Sequence, residues 1–499
     1  MAVCSVMQRT ATKTYSLKQI CYNTTMQSTK KQTKIVCTIG PASNTVPQLK
    51  KLIKAGMNVA RLNFSHGTHP DHAKIVRSVR QAAKETGEPV TILQDLSGPK
   101  MRVGDLPEGG IKLKKGEEIQ VSFGKAYKPP IIPVSYPNIH KDIRPGEQIL
   151  LDDGLLELQA LRSKGKVLYC KVIVGGMLLP HKGFNVPTSV LKIDTITQKD
   201  RKDLQFGLKQ NVDWVTLSFV RSSDDIKNLK SLIKRYKKTG VKPKIMAKIE
   251  KQEALNDLEA IVKECDGIMI ARGDLAVETE AEQMAVHQKD IIEMCLKHQR
   301  AVVVATQMMA SMKSHPRPTR AELSDVGHAV MDHTDCVMTS GESATGKYPV
   351  QTITLMAKIA HETEKSRYDD YPLDQHYKHR HTRERIVGTT ARLLERHSNI
   401  AAIGFLPGQE DLARLVAHFR AQVPLVVGVR SLKAAQQLNL WWGVHGVVVS
   451  GKDNAAIKKQ LISWMIKNGL RKGRMAAFLK AKFSPEDEKF ELKVEEKKL

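Results

Sequence analysis

Pro243-Lys-Ile-Met-Ala-Lys-Ile-Glu250 and, a short way further on, Gly267-Ile-Met-Ile-Ala-Arg-Gly-Asp274 each run an apolar strand into charged chemistry. In the first, Lys248 and Glu250 stand two apart, so on a strand both project to one side, while Ile245, Ala247 and Ile249 project to the other. In the second, the apolar run stops at Ala271, and Asp274 follows a glycine where a helix would begin. One ammonium and two carboxylates at neighbouring strand ends suit a divalent cation and a phosphorylated acid. Mg2+ takes one or two carboxylates and completes its shell with substrate oxygens, and lysine offers a point charge to a phosphoryl group. Taken singly, each segment reads as well as a solvated strand end. Together they favour chemistry.

Outward from these two segments the chain keeps alternating. Apolar strands are expected at Lys34–Ile39, Asn58–Phe64, Val90–Leu96, Trp214–Phe219, Lys244–Glu250, Gly267–Ala271, Ala301–Thr306 and Cys336–Thr339. Amphipathic helices fit between them, as at Pro47–Ala55, His69–Thr86, Ser223–Thr239 and Ala281–His298. Repeated strand–helix units predict a parallel (β/α)8 TIM barrel, an α/β fold. One interval is too long. From about Met101 to Val186 the pattern changes to short strands with Gly and Pro turns, which predicts a small β-barrel domain inserted after the third strand. Beyond Lys365, a polar stretch (Ser366–His381) leads to strands at Ile400–Gly404, Leu425–Val429 and Gly446–Val449, a C-terminal α/β domain. The expected units are an extension over 1–31, a barrel over 32–100 and 187–365, a β lid over 101–186 and the last domain over 366–499.

Composition narrows the function. Lys and Arg number 79 against 52 Asp and Glu, a net charge of +27 that invites a nucleic-acid reading. The basic residues are spread along the chain, however, without aromatics interleaved for base stacking, so no specific nucleic-acid partner is expected. A salt-dependent shift of arbitrary duplex without enzymatic activity would revive that reading. No apolar run approaches the roughly 18 residues that span a bilayer. The seven cysteines are scattered without a C-x-x-C pair and read as reduced, buried thiols of a cytoplasmic protein. No acidic residue precedes Asp71, and residues 1–31 are rich in Ser, Thr, Lys and Gln. That composition fits a tail, an upstream start with Met26 as the true beginning, or an organellar targeting segment. The charged end after Ser484 carries a strand candidate at Phe490–Val494.

Catalysis in such barrels sits at the C-terminal ends of strands, and those ends are polar here. The second strand ends Arg61-Leu-Asn-Phe-Ser-His66 and the third Gln94-Asp-Leu-Ser-Gly-Pro-Lys-Met-Arg102. The fourth ends Ser218-Phe-Val-Arg221, the seventh Thr306-Gln-Met and the eighth Thr339-Ser-Gly-Glu342. Arg61 and Arg102 suit a bidentate phosphate clamp, and Asn63, Ser65 and Asp95 offer oxygens to a cation.

At these residues the chain resembles the pyruvate kinase family. The likeness is carried by Met57-Asn-Val-Ala-Arg-Leu-Asn-Phe-Ser-His-Gly67, Ile149-Leu-Leu-Asp-Asp-Gly154, Lys182-Gly-Phe-Asn185, Ala247-Lys-Ile-Glu-Lys-Gln-Glu-Ala254, Ala271-Arg-Gly-Asp-Leu275, Ala305-Thr-Gln-Met308, Pro316-Arg-Pro-Thr-Arg-Ala-Glu322 and Ser340-Gly-Glu342. It runs from about Lys34 to Val350 and fades in the C-terminal domain. It implies glycolytic phosphoryl transfer from phosphoenolpyruvate to ADP, giving pyruvate and ATP. Glu250 and Asp274 would ligate Mg2+, with Mn2+ as a substitute. Lys248 would stabilise the phosphoryl group in flight, Arg61 would hold it and Arg102 would assist. Gly273, Asp274, Thr306 and Ser218 would contact substrate, with Thr306 beside the face of the enolate that is protonated. His66, Lys182 and Asn63 resemble nucleotide contacts, and the inserted domain would close as a lid. A homotetramer is the expected assembly.

Four departures from the family pattern bear on the expectations. Thr345 and Gly346 stand where many relatives carry a basic residue near the nucleotide, and the pre-barrel helix of many animal relatives is not evident in residues 1–31. Leu406-Pro-Gly-Gln-Glu-Asp-Leu-Ala-Arg414 replaces a hydroxyl-rich effector loop. Lys100 stands where K+-dependent relatives carry Glu, which implies that its ammonium fills the monovalent-cation site of Asn63, Ser65 and Asp95 and that K+ is not required. Trp441 and Trp442 read as packing residues. The rival reading is a Mg2+-dependent aldolase or lyase acting on a pyruvate enolate, which shares Glu250 and Asp274 but needs neither lid nor Lys182.

Overall fold

A computed structural model describes residues 31–189, 191–369, 382–396, 399–470, 473–484 and 489–499. The extension expected over 1–31 lies outside these residues apart from Lys31, which is buried and donates to the Asn58 side chain. Most of the polar stretch Ser366–His381 also lies outside them.

The barrel strands are Lys34–Thr38, Val59–Asn63, Thr91–Asp95, Trp214–Leu217, Lys244–Ile249, Gly267–Ala271, Ala301–Ala305 and Cys336–Thr339. All neighbours pair in parallel and the first closes on the last. Their residues are almost all buried, as a sheet covered on both faces requires. The helices between them follow their capping chemistry. His69–Thr86 starts where Thr68 and Asp71 form a reciprocal capping box, has Pro70 in its first turn, and stops at Gly87 with φ +78°. Two helices are shorter than their periodicity suggests. Ser223–Tyr236 stops before Thr239, and Ala281–His298 divides into a 3-10 turn and the helix Met284–Lys297.

After the third barrel strand the chain leaves to build a six-stranded sheet. In spatial order its strands are Phe184–Asn185, Gln148–Leu151, Leu156–Lys164, Val167–Val174, Glu118–Phe123 and Ile131–Val134. Val121, Ile149, Leu158, Cys170 and Phe184 give this domain a core of its own. Its two crossings to the barrel run side by side, Arg102 bridging to Gly183 and the Phe184 amide donating to the Met101 carbonyl. That paired hinge is where a lid would turn.

The C-terminal domain carries a sheet of order Val444–Val448, Leu425–Val429, Ile400–Phe405, Met475–Ser484 and Lys489–Lys498. Met475–Ser484 was not expected as a strand. It pairs antiparallel with the last strand over ten residue pairs, which extends the Phe490–Val494 candidate to Lys489–Lys498. The domain seals the N-terminal end of the barrel. Trp441 packs on the barrel's Trp214 with ring centroids 5.5 Å apart, and Trp442 is buried, so both tryptophans are packing residues. A buried pair of Arg420 with Asp335 (2.7 Å) and a bond from Lys34 Nζ to the Val444 carbonyl (2.8 Å) fix the seam. The five described cysteines are buried and unpaired.

Candidate active site

Strand and loop geometry bring the charged residues together at the C-terminal barrel end. Lys248 and Glu250 share one side of the fifth strand, and Lys248 Nζ lies 2.7 Å from Glu250 Oε1 and 3.8 Å from Asp95 Oδ2. It also donates to Ser218 Oγ at 3.0 Å. Asp95 accepts from Arg61 Nε at 2.8 Å, with Ser218 Oγ 3.2 Å away and donating its single proton more closely to the Leu96 carbonyl at 2.7 Å, and Arg61 reaches on to Thr38 Oγ1 at 2.8 Å. Asp95 is therefore the buried keystone that orients two cations upward. Its own charge is met. Glu250 Oε2 accepts the Phe219 amide at 2.7 Å, whereas Oε1 faces Lys248 without hydrogen-bond geometry and has no hydrogen-bond partner.

Above this layer lies a cavity of about 190 Å³, lined among others by Arg61, Asn63, Ser65, His66, Lys100, Arg102, Lys248, Glu250, Asp274 and Thr306. A larger cavity of about 770 Å³ lies at the opposite end, between barrel and C-terminal domain, and contains none of the strand-end residues. Size points to the larger one. The convergence of buried charge points to the smaller, and charge decides where chemistry sits.

The site's electrostatics follow from burial and charge. Burial raises the Glu250 carboxyl above its ordinary range, with Asp274 adding to the rise and Lys248 opposing it. Burial also pushes Asp274 up, but the Lys100 and Lys248 ammoniums overcome this and hold it below its ordinary range. For Lys248, burial pulls down while Asp95 and Glu250 raise it, and the net shift is upward. It stays an ammonium. His66 is lowered by burial and then by Arg102 and Arg61, so near neutrality it is an uncharged imidazole.

Three expected placements differ. Lys100 lines the same cavity as Asn63 and Ser65, but its ammonium does not pair with Asp95. That ammonium lies 2.6 Å from Asp274 Oδ1, while Asp95 is already met by Arg61 and faces Lys248. Asn63 Oδ1 instead accepts the Ser65 amide, and Ser65 Oγ bonds Ser97 Oγ. The Gly273 amide is also already engaged, donating to Thr306 Oγ1 at 2.8 Å. Lys182 does not line the cavity; it pairs with Asp152 at 2.8 Å within the inserted domain. Arg102 lines the wall and donates to the His181 carbonyl.

Arg272, at the end of the sixth strand beside Gly273 and Asp274, carries no role legible in its local sequence. Its partner, Asp325, is distant in sequence on the helix Arg320–Met331, and nothing in the spacing links them. Glu278 was likewise missed. It accepts from Asn185 at the hinge (2.7 Å) and from Lys251 (2.9 Å), tying the hinge to the strand that carries Glu250.

Residues 30–353 match the family model "Pyruvate kinase, barrel domain", and residues 385–480 match "Pyruvate kinase, alpha/beta domain". The chain belongs to the pyruvate kinase family. The second match extends the family likeness into the C-terminal domain, where the sequence motifs had faded. The chain is 42% identical to pyruvate kinase 2 of Synechocystis over 84% of this chain and 71% of that one. It is 40% identical to the pyruvate kinase of Geobacillus stearothermophilus over 83% and 71%. Among solved structures, a pyruvate kinase from Cryptosporidium parvum superposes with a TM-score of 0.85 at 32% identity, covering 93% of this chain and 96% of that one. Membership makes the protein a phosphotransferase and implies phosphoenolpyruvate and ADP as substrates, with pyruvate and ATP as products. Among the described residues, no helix is long and apolar enough to cross a membrane.

Proposed function

We propose that the protein catalyses the glycolytic transfer of the phosphoryl group from phosphoenolpyruvate to ADP in the cytoplasm, as a Mg2+-dependent, K+-independent homotetramer. The observation that carries the chemistry is the Lys248 ammonium held between Asp95 and Glu250 under a cavity rimmed by Arg61, Asp274 and Thr306.

Glu250 and Asp274 fit a divalent cation. Both are hard oxygen donors on one cavity wall, each now facing an ammonium, Glu250 Oε1 that of Lys248 at 2.7 Å and Asp274 Oδ1 that of Lys100 at 2.6 Å, so each marks a place where positive charge is held. Two carboxylates suffice for Mg2+, which keeps other positions for substrate oxygens, and Mn2+ accepts the same donors. When bound there, the ion would neutralise charge on the phosphorylated acid and on the enolate left behind.

Arg61 and Lys248 carry phosphoryl transfer on the protein side. Arg61, braced by Asp95 and Thr38, grips equatorial oxygens, with Arg102 assisting from the hinge. Lys248 meets the charge that builds on those oxygens as the bond to the acid loosens. Ser218 keeps that ammonium aimed upward. Asp274 and Gly273 would meet the carboxylate end of the substrate, the Gly273 amide exchanging Thr306 Oγ1 for it. The Thr306 hydroxyl orients the proton that reaches the enolate carbon. His66, Asn63 and Lys182 would contact ADP, Lys182 exchanging its Asp152 partner for phosphate as the lid closes and excludes water.

The test is coupled. Purified protein receives phosphoenolpyruvate, ADP and Mg2+, and pyruvate and ATP are measured separately. Equal amounts of both support the reading. Pyruvate with inorganic phosphate in place of ATP would mean hydrolysis and would refute transfer to ADP, and neither product would refute the kinase reading and leave the aldolase or lyase, which needs an aldol-type substrate, as the alternative to assay.

A further inference from the structure

We propose that Arg272 is a positioning residue: its guanidinium, anchored on Asp325, holds residue 306 in the left-handed conformation that presents the Thr306 hydroxyl to the Gly273 amide and the cavity.

The inference starts from backbone strain. Thr306 has φ +71° and Gln307 φ +56°. Two successive non-glycine residues in this region are costly, and a β-branched one more so. Such a turn persists only where its surroundings over-determine it.

Arg272 supplies the surroundings. Its Nε donates to the Ala305 carbonyl at 3.3 Å and Nη2 to the Thr306 carbonyl at 2.8 Å, so one planar group binds both carbonyls of the turn. The opposite edge pairs with both Asp325 oxygens, Nη1 at 2.6 Å and Nη2 at 2.7 Å. Nη1 also reaches Gln288 Oε1 at 3.4 Å, and Nη2 lies 2.9 Å from Met308 Sδ. The guanidinium is mostly buried, and this fork geometry has no lysine equivalent.

Arg272 is not part of the cavity wall. It acts through three consecutive residues. Arg272 fixes the Thr306 carbonyl, Gly273 donates its amide to Thr306 Oγ1, and Asp274 puts its carboxylate into the cavity. The ends of the sixth and seventh strands are thereby set relative to one another, and a small displacement there is multiplied in turnover.

The test compares Arg272→Lys, Asp325→Asn, Asp325→Glu and Thr306→Ala in the full chain, and its kinetic arm rests on the function proposed above. Arg272→Lys is expected to lower kcat roughly 100-fold while KM for phosphoenolpyruvate stays within about twofold. Asp325→Asn, which keeps the guanidinium, should fall between, and Asp325→Glu should recover part of the loss. Because Thr306 is the point of action, adding Thr306→Ala to Arg272→Lys should cost little more. Amide hydrogen exchange reads the positioning without any reaction: the Gly273 amide should exchange roughly tenfold faster in Arg272→Lys and Asp325→Asn. Wild-type protection at Gly273 in both variants, a loss confined to KM, or a full additional loss from Thr306→Ala would overturn the proposal. Should Arg272→Lys fail to fold, Asp325→Asn carries the same tests. Should the wild type make no ATP, the proposed function falls while the exchange data still decide the clamp.

Discussion

Replacing Lys100 by Glu reverses the charge that faces Asp274, and the size of the effect can be worked from the contact. The ammonium is 2.6 Å from Asp274 Oδ1, with the two side chains 26% and 21% exposed. With charge centres about 4 Å apart and an effective dielectric near 20, the attraction is about 4 kcal/mol, and partial exposure reduces it to about 2 kcal/mol. Glu turns that into a repulsion of similar size. The swing of about 4 kcal/mol corresponds to roughly a thousandfold in kcat/KM if no other cation steps in. Asn63 and Ser65 lie on the same cavity wall and, with the new carboxylate, offer K+ a set of oxygens. Initial rates of ATP formation, measured in tetramethylammonium buffer and then with KCl titrated in, should be flat for the wild type. For Lys100→Glu they should rise steeply. A wild type that is nearly inactive in tetramethylammonium and recovers with K+ would refute the reasoning.

Three further outcomes are expected. Lys248→Met should lower turnover by orders of magnitude with little change in the Michaelis constant for phosphoenolpyruvate, because the ammonium matters most as charge develops; a change in that constant alone would end this assignment. Fructose bisphosphate should not activate strongly, since Glu410 accepts the Gly408 amide and Asp411 takes up Arg414, leaving the loop's carboxylate on Glu410 and no unpaired cation from Arg414 for a phosphate; steep activation that survives mutation of other basic sites would contradict this. Lys34 is buried at the domain seam, and burial, followed by repulsion from Lys31, pushes its pKa down to about 7. Since the folded value lies below the unfolded one, the unfolded chain binds the extra proton between about pH 7 and 10.5, so the penalty is full below about pH 7 and fades as pH rises. Lys34→Met should remove up to about 1.4 kcal/mol per pH unit from the rise in stability across that window, and urea midpoints with parallel pH profiles for the two proteins would exclude it.

The barrel was legible because a doubly covered parallel sheet forces near-continuous apolar runs, and strand ends such as Arg61–His66 and Lys248–Glu250 break those runs sharply. The inserted domain was legible as a change of rhythm after the third strand. Met475–Ser484 was not, because Lys480 and Lys482 interrupt its apolar residues and only the long antiparallel pairing with Lys489–Lys498 makes it a strand. The candidate site shows the same boundary. Residues that act from their own strand end, such as Lys248, Glu250, Asp274 and Thr306, could be named from local sequence. What could not be read was which cation each carboxylate takes. Asp95 pairs with Arg61, Asp274 with Lys100 and Asp325 with Arg272, and all three choices depend on distances between segments far apart in the chain.

Those pairings impose a charge count on the cavity. Arg61, Lys100, Arg102 and Lys248 set four positive charges against the carboxylates of Asp95, Glu250 and Asp274, leaving a formal excess of one. A fully ionised phosphorylated acid carries three negative charges and a divalent cation two positive ones, so the loaded site returns to neutrality without a monovalent ion. Glu at position 100 would leave the same loaded site two charges negative, in a place where burial already raises Glu250. A neutral loaded site would need little reorganisation as negative charge builds on the acid's bridging oxygen while the phosphoryl group passes to the nucleotide, which is the condition under which preorganised electrostatics lower a barrier most. On the proposed function, Lys100 would belong to the catalytic charge balance even though its contact is with Asp274 and not with the reacting phosphate.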